Sequence, residues 1–362
     1  MTTAENVTLI EKREQLQRQM VAGRYRSLID VILDGTGRII QKLFRRAEPP
    51  AFWVSAAVIV LAALLVRIII MLLAREALWP LGLAAEPVII GVLFLVMVLM
   101  RLTIRLTYAS LREHILPAIQ STAGLTDVQH WLDNARNVRR QLLFSLFYSA
   151  FVTPLGLFLY PRFILSLNMT FWGVFPLFFV GMGLYYLFLF LSLPLRLGRI
   201  QFKLYPDDPS NSELVAHLSG MLNRFVYLYA VLGGLATLAL AVSRMLDLRT
   251  MVFSILILWI PLATFFVISH YALSKIIKGA KWKTLNEIQA KIQALKTKDI
   301  ADKETIETVL RLMDYHDRVK ATRESALDIG AGLNLFNSML LPVLGFLLGN
   351  IDKLFALIGL TK

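Results

Sequence analysis

Two adjacent carboxylates, Asp207 and Asp208, stand in the polar segment LYPDDPSNSE, between two strongly apolar parts of the chain. Clustered oxygen ligands bind hard divalent cations, but two carboxylates supply too few ligands by themselves. In the same segment, Ser210 and Glu213 have the S-x-x-E spacing of a capping box, whose side chains bind backbone N–H groups at a helix start. The segment is therefore predicted to be a capped turn that begins a helix, in preference to a metal or catalytic site.

A second pair of carboxylates occurs in DVILDGTGR, from Asp30 to Arg38, near glycine and arginine as in the metal-binding motif of CDP-alcohol phosphotransferases. That motif requires two further aspartates at fixed spacing, and none follow, so no residue role is transferred from that family. The chain also lacks the G-x-x-x-x-G-K-S/T, H-E-x-x-H and G-x-S-x-G patterns of nucleotide-binding proteins, zinc proteases and esterases. It contains no cysteine, which excludes thiolate chemistry. We expect no metal, no cofactor and no catalytic residue.

The composition predicts the elements that carry these residues. Of the 362 residues, 57% are hydrophobic and only 17% are charged, which is outside the range of soluble domains. A helix needs about 20 apolar residues to cross the roughly 30 Å hydrocarbon layer. Runs of that length predict an all-α, polytopic membrane protein with six spans: Ala51 to Ala74, Pro87 to Ile104, Leu142 to Tyr160, Phe171 to Leu195, Arg224 to Val242 and Met251 to Leu273.

The distribution of Lys and Arg predicts the side of each connection, since cytoplasmic loops carry the excess of basic residues. Nine basic residues precede the first span, six lie between spans two and three, four between spans four and five, and twelve follow span six. The other connections hold one or two each. The N-terminus is therefore predicted to be cytoplasmic, in a plasma or inner membrane. Contact with an anionic inner leaflet explains the net charge of +13 without nucleic acid.

Residues 1–50 are predicted to form a basic cytoplasmic segment ahead of the six-helix domain, residues 51–273. From Leu28 to Phe44, apolar residues recur at helical spacing with basic residues between them. This helix either lies among lipid headgroups as an anionic-lipid sensor or anchor, or packs on other cytoplasmic parts. Gly35 and Gly37 are expected to bend or interrupt it. The residues predicted to contact headgroups are Arg38, Lys42, Arg45 and Arg46.

Residues 274–326 are predicted to form a cytoplasmic hairpin of two antiparallel helices. The first helix has an apolar seam at steps of three, four and three, formed by Leu285, Ile288, Ile292 and Leu295. The second has an apolar face formed by Ile306, Val309, Leu310 and Met313. Residues 327–362 follow as a C-terminal segment, in which the apolar run Ala331 to Gly349 spans the membrane or re-enters it.

Few polar side chains fall within the apolar runs. Arg67 lies inside the first span and His270 near the cytoplasmic end of the sixth, where ionisable groups are candidates for function. Arg67 either extends outward to the interface or has an interhelical or anion-attracting role, and His270 either bonds a neighbour or serves function directly. In the run Ala331 to Gly349, polar and small residues share one helix face that lines a pore or packs on other helices: Asn334, Asn337, Ser338 and Gly345.

Two kinds of function fit these features. The first is a homo-oligomeric channel or pore with a basic cytoplasmic face, because an amide-lined apolar segment behind a basic vestibule can pass ions or water. The second is a non-catalytic membrane scaffold or docking subunit that recruits a partner through the hairpin. A coupled transporter is less favoured, since none of the apolar runs contains an internal Asp or Glu. An enzyme acting on lipid headgroups is the least favoured.

Overall fold

The structure, a computed structural model, describes residues 3–45, 48–75, 85–159, 167–242, 260–296 and 303–324. Within these ranges the chain is helical and contains no β-strand, although Ile119 and Phe202 form an isolated antiparallel bridge. The predicted all-α class is confirmed for the described residues.

The described helices, in chain order, are α1 (Thr3–Val21), α2 (Leu28–Leu43), α3 (Phe52–Ala74), α4 (Ala85–Ser110), α5 (Leu116–Ala118), α6 (Thr122–Ala135), α7 (Val138–Leu159), α8 (Leu167–Leu197), α9 (Glu213–Val242), α10 (Ile260–Lys296) and α11 (Lys303–Ala321). A π-helical turn, Leu111–Ile115, joins α4 to α5. A short 3-10 turn, Pro209–Asn211, precedes α9.

Four of the described helical stretches are long and apolar enough to cross a membrane: Phe52–Leu73, Pro87–Ala118, Val174–Leu197 and Ile260–Leu295. They correspond to the first, second, fourth and sixth predicted spans, so the protein has the helices of a membrane protein. The third and fifth predicted spans lie on α7 and α9, which are not among these four. The predicted seventh segment, Ala331 to Gly349, lies outside the described residues.

The surface of α3 shows why these helices require an apolar environment. Leu61, Leu65, Leu72 and Leu73 are each between 61% and 81% exposed on the protein surface. Contiguous exposure of large apolar side chains is unfavourable in water, whereas lipid acyl chains accept such a surface. The helical backbone satisfies its own hydrogen bonds, which a membrane span requires.

Small residues allow the helices to approach each other closely. A Cβ atom added at Gly181 on α8 would lie 3.1 Å from the Cα atom of Ser145 on α7. That distance leaves no room for a side chain, and apolar helices in lipid depend on such close contact because no hydrophobic effect drives them together. Gly181 therefore has the close-packing role that its residue type predicts.

The four segments rich in Lys and Arg contact one another. Arg13 Nη2, in the N-terminal segment, donates to Ile119 O, in the segment between the second and third predicted spans, at 2.8 Å. Lys203 N, in the segment between the fourth and fifth predicted spans, donates to Ala118 O at 2.9 Å. Tyr315 Oη, in the segment after the sixth predicted span, donates to Asp207 Oδ1. These segments come from distant parts of the chain, yet they gather at one end of the helical body.

Gln141, at the start of α7, is the polar centre of this end of the body. Its side chain is fully buried. Its Oε1 accepts from Leu28 N and from Tyr186 Oη, both at 2.6 Å, and its Nε2 donates to Ala135 O at 2.5 Å. The Leu28 N–H belongs to the first turn of α2 and has no partner within that helix. One amide side chain thus joins α2, α6, α7 and α8.

Replacing Gln141 by leucine should destabilise the protein strongly, since three buried polar groups would lose their partner. Each such loss costs about 1–3 kcal/mol. Tyr186→Phe removes one of the three bonds and leaves no orphaned donor, so its cost should be nearer 1 kcal/mol. Thermal unfolding of the purified protein in one neutral detergent should rank wild type above Tyr186→Phe and that variant above Gln141→Leu. Equal melting temperatures would contradict this role.

Candidate functional site

The start of α2 orients the first carboxylate of the candidate site. Ser27 is the N-cap of the helix, and Ser27 and Asp30 form a capping box: Ser27 Oγ accepts from Asp30 N, and Asp30 Oδ2 accepts from Ser27 N, both at 3.2 Å. The Ser27 hydroxyl also donates to Asp30 Oδ2 at 2.6 Å. These bonds occupy Oδ2 and hold the carboxylate against α4, where its other oxygen faces two arginines.

Arg101, on α4, is the buried charge of the site, with a side chain only 3% exposed. Its Nε lies 3.2 Å from Asp30 Oδ1, and its Nη2 donates to Asp34 Oδ1, one helical turn further along α2. Its Cζ lies 5.0 Å from the centroid of the Phe52 ring, close enough for a cation–π interaction. Arg105, one turn away on α4, lies 3.8 Å from Asp30 and is more exposed.

Two nitrogens of Arg101, Nε and Nη1, are buried and make no hydrogen bond, although Nε is within ion-pair distance of Asp30. Arg101 borders a cavity of about 520 Å³ between α2, the start of α3 and α4. We call this space the arginine cavity. Its polar and charged lining is formed by Arg26, Asp34, Arg38, Ser55, Arg101 and Arg105. It has the surface chemistry of an anion site, because guanidinium groups outnumber carboxylates around it.

α2 is continuous from Leu28 to Leu43, so Gly35 and Gly37 do not interrupt it, and the prediction of a break was wrong. A Cβ at Gly37 would lie 3.2 Å from Ser55 Oγ, and the missing side chain lets α2 pack closely on α3. Packing contacts supplied by α3 and α4 outweigh the low helix propensity of glycine. Gly37 therefore serves contact between helices.

The two interpretations of α2 describe two faces of the same helix. Leu33 and Ile40 are buried against the protein, whereas Ile39, Leu43 and Phe44 are 65% to 74% exposed. Of the predicted headgroup contacts, three are exposed beside these apolar side chains: Arg38, Lys42 and Arg45. We call this exposed surface the α2 edge; it is formed by Arg38, Ile39, Lys42, Leu43, Phe44 and Arg45. Arg46 lies outside the described residues.

The segment LYPDDPSNSE leads into helix α9, so the predicted helix start is present. The predicted capping box, however, is not. Ser210 and Glu213 form no capping box. Asp208 caps the 3-10 turn instead, with four hydrogen bonds from the backbone and side chains of Ser210 and Asn211. Burial raises the pKa of the Asp208 carboxyl, but these bonds outweigh it and hold that pKa below its ordinary value. The three-residue turn places Ser210 too early to cap α9.

Asp207 accepts a hydrogen bond from the Tyr315 hydroxyl, which joins α11 to this turn. Burial and the hydrogen bond to Asp207 raise the pKa of Tyr315 to about 12. Among the described residues, no group of three His, Asp or Glu side chains could hold a metal ion. Asp207 and Asp208 thus have structural partners.

α10 and α11 pack against each other through Leu285, Ile288 and Val319, with Ile292, Leu312 and Tyr315 beside them. Lys281 Nζ donates to Thr322 O at 2.8 Å, and Lys278 lies 3.1 Å from Glu324. Three residues of the apolar face predicted for α11 point away from this contact: Ile306, Leu310 and Met313 are 46% to 60% exposed. The periodicity of the sequence predicted an apolar face of α11, and that face is exposed. The residues of α11 that contact α10 lie on a different face of the helix.

The remaining predicted residues are placed as follows. Arg67 is 2% exposed, so its guanidinium is enclosed by protein. His270 is half-buried on α10. The predicted pore or packing residues Asn334, Asn337, Ser338 and Gly345 lie outside the described residues.

Two long-range pairings were not among the predictions from the sequence. The rings of His114, in the π-helical turn, and His217, on α9, stack with centroids 3.5 Å apart. The contacts of Arg101 with Asp30 and Asp34 join residues of α4 and α2. The only sequence signal was the occurrence of two carboxylates one turn apart on a helix whose other face is apolar.

The chain has no significant match to a protein-family model, a curated protein sequence or a solved structure.

Replacing Arg101 by methionine should destabilise the protein by about 3–5 kcal/mol, because Asp30 and Asp34 would be left beside an apolar side chain. The triple variant Arg101→Met, Asp30→Asn, Asp34→Asn removes all three charges and should recover part of the loss. Melting temperatures in neutral detergent test both statements. An Arg101→Met variant as stable as wild type would show that the buried ion pairs do not hold α2 in place.

Proposed function

We propose that the protein is a non-catalytic subunit of a plasma or inner membrane, with a cytoplasmic N-terminus, that docks a cytosolic or membrane partner through its α10–α11 pair. The observation that carries this proposal is the exposed apolar row of Ile306, Leu310 and Met313 on α11.

The row has the geometry of a recognition surface. Its residues are four and three positions apart, so they share one face of the helix. Partners that bind a helix in a groove recognise anchors with this spacing. Most other residues of α11 are polar or charged, and the face toward α10 is already occupied by Leu312, Tyr315 and Val319. Among the described residues, none covers the exposed row.

The length of α10 supports a position of this row away from the membrane. The helix has 37 residues, which corresponds to about 55 Å at the standard helical rise. The hydrocarbon layer accounts for about 30 Å. The part of α10 beyond the bilayer is therefore long enough to support α11 as the second arm of the predicted hairpin, residues 274–326.

The assembly of the basic segments supports the predicted orientation. The N-terminal segment, residues 101–140, residues 196–224 and the α10–α11 pair contact one another at one end of the body. The same four segments carry the excess of Lys and Arg. This agreement favours the six-span topology, in which α7 and α9 also cross the membrane.

The natural absence of cysteine makes this topology directly testable with single-cysteine variants. A membrane-impermeant maleimide applied to intact cells or spheroplasts should label the Arg75→Cys variant. The Val21→Cys and Lys283→Cys variants should be labelled only after the membrane has been permeabilised. All three positions are exposed on the protein surface. The cysteine-free wild type is the background control, and labelling of Val21→Cys in intact cells would reverse the orientation.

The docking proposal predicts that Leu310→Glu weakens partner binding by about tenfold to a hundredfold, since burying a leucine contributes about 1.5–3 kcal/mol. The matched control is Thr308→Glu, which adds the same charge to an exposed position on the opposite side of α11. A photo-crosslinking residue at position 310 should capture the partner from native membranes in stoichiometric yield, and one at position 308 should not.

Equal capture at both positions would contradict the docking surface. A homo-oligomer of defined mass without a partner would instead favour the channel or pore. That hypothesis remains a prediction from the sequence, because its four candidate residues all follow residue 324, the last one described.

A further inference from the structure

We infer that the arginine cavity binds a phosphate group, and that the natural source of this group is the headgroup of an anionic phospholipid. This inference concerns the opposite end of the chain from the docking row and does not depend on the proposed partner.

The first observation is the incompletely paired charge of Arg101. Its guanidinium is 3% exposed and its Nη2 donates to Asp34 Oδ1, whereas Nε, 3.2 Å from Asp30 Oδ1, and Nη1 are buried without a hydrogen bond. Buried charged donors in folded proteins are normally paired, because an unpaired one loses its solvation with no compensation. Since Arg101 borders the cavity, an anion placed there would compensate part of its charge electrostatically.

The second observation is the charge around the cavity. Four arginines line it, Arg26, Arg38, Arg101 and Arg105, and only Asp34 among the lining residues is acidic. Asp30 also lies against Arg101 and Arg105, so the two carboxylates leave two positive charges uncompensated. Guanidinium groups match the geometry of phosphate oxygens and bind them through paired hydrogen bonds.

The third observation is the helix that begins at the cavity. α3 starts at Phe52 after Pro49, Pro50 and Ala51, all of which line the cavity. Its N-cap, Ala51, provides no side-chain hydrogen bond to the first turn. The N-terminus of this 23-residue helix therefore presents its positive end to the same space, which adds to the attraction for an anion.

The location favours a lipid over a soluble phosphate. α3 is one of the membrane-crossing helices, so its first turn lies at the boundary where lipid headgroups are found. The α2 edge borders this region and exposes Ile39, Leu43 and Phe44, which suit contact with acyl chains. A volume of about 520 Å³ accommodates a headgroup.

The test measures phospholipid binding to the full-length protein in neutral detergent by native mass spectrometry. The ligands are phosphatidylglycerol, phosphatidylcholine and inorganic phosphate, the last as a competitor. The test variant is Arg26→Gln, Arg38→Gln, Arg105→Gln, which spares the buried Arg101, and the control is Arg18→Gln, an exposed arginine of α1 outside the cavity lining.

Wild type should bind phosphatidylglycerol about tenfold or more tightly than the triple variant, because three charge-assisted contacts are removed. Arg18→Gln should change the affinity by less than about twofold, as for an exposed single charge. If inorganic phosphate fails to compete, the lipid source is supported; if it competes fully, the cavity takes a soluble phosphate. Equal binding by wild type and the triple variant would overturn the inference.

Two controls keep the outcome clear. The first control is the melting temperature of the triple variant in detergent without added lipid. It must lie within a few degrees of the wild-type value, because the three replaced side chains are solvent-accessible. If the triple variant melts earlier, the single variant Arg26→Gln is used in its place. Partner crosslinking at position 310 is measured on the same samples. Lost lipid binding with retained crosslinking separates this site from the docking surface.

Discussion

A buried guanidinium cannot remain in a protein interior without anionic partners, and Arg101 obtains them from α2. Because Asp30 and Asp34 are one turn apart, only one rotation of α2 presents both carboxylates to α4. Gly37 then allows that face to approach α3 closely, and Gln141 accepts from the buried Leu28 N–H, which has no partner within α2. The ion pairs thus determine where α2 lies, which of its faces is covered, and which apolar side chains remain on the α2 edge.

The parts of the fold that the sequence predicted depend on neighbouring residues. Twenty consecutive apolar residues specify a membrane helix whatever it packs against, so the spans on α3, α4, α8 and α10 could be located in advance. The alternation of basic and neutral connections likewise pointed to four segments that meet in the structure. The helix start after LYPDDPSNSE was predictable from residue types, although Ser210 lies inside a 3-10 turn that Asp208 caps and does not itself cap α9.

The candidate site could not be predicted, because it depends on the rotation of each helix about its axis. Arg101 counted as one of six basic residues in a connection, and nothing local distinguishes it from Arg105. Its burial follows from the way α2, α3 and α4 meet. For the same reason, periodicity showed that α11 has an apolar face but could not show that Val319 would face α10 while Leu310 faces solvent. The stacking of His114 on His217 is equally a product of packing.

The continuity of α10 has a mechanical consequence. A helix without a break transmits rotation and tilt along its whole length, so the 37 residues act as a lever with one arm in the bilayer. Helices adjust their tilt when the thickness of the surrounding bilayer changes. For a rod of about 55 Å, a tilt of about 10° displaces the far end by about 10 Å. A change in the tilt of α10 would therefore move α11, which packs against the part of α10 around Leu285 and Ile288.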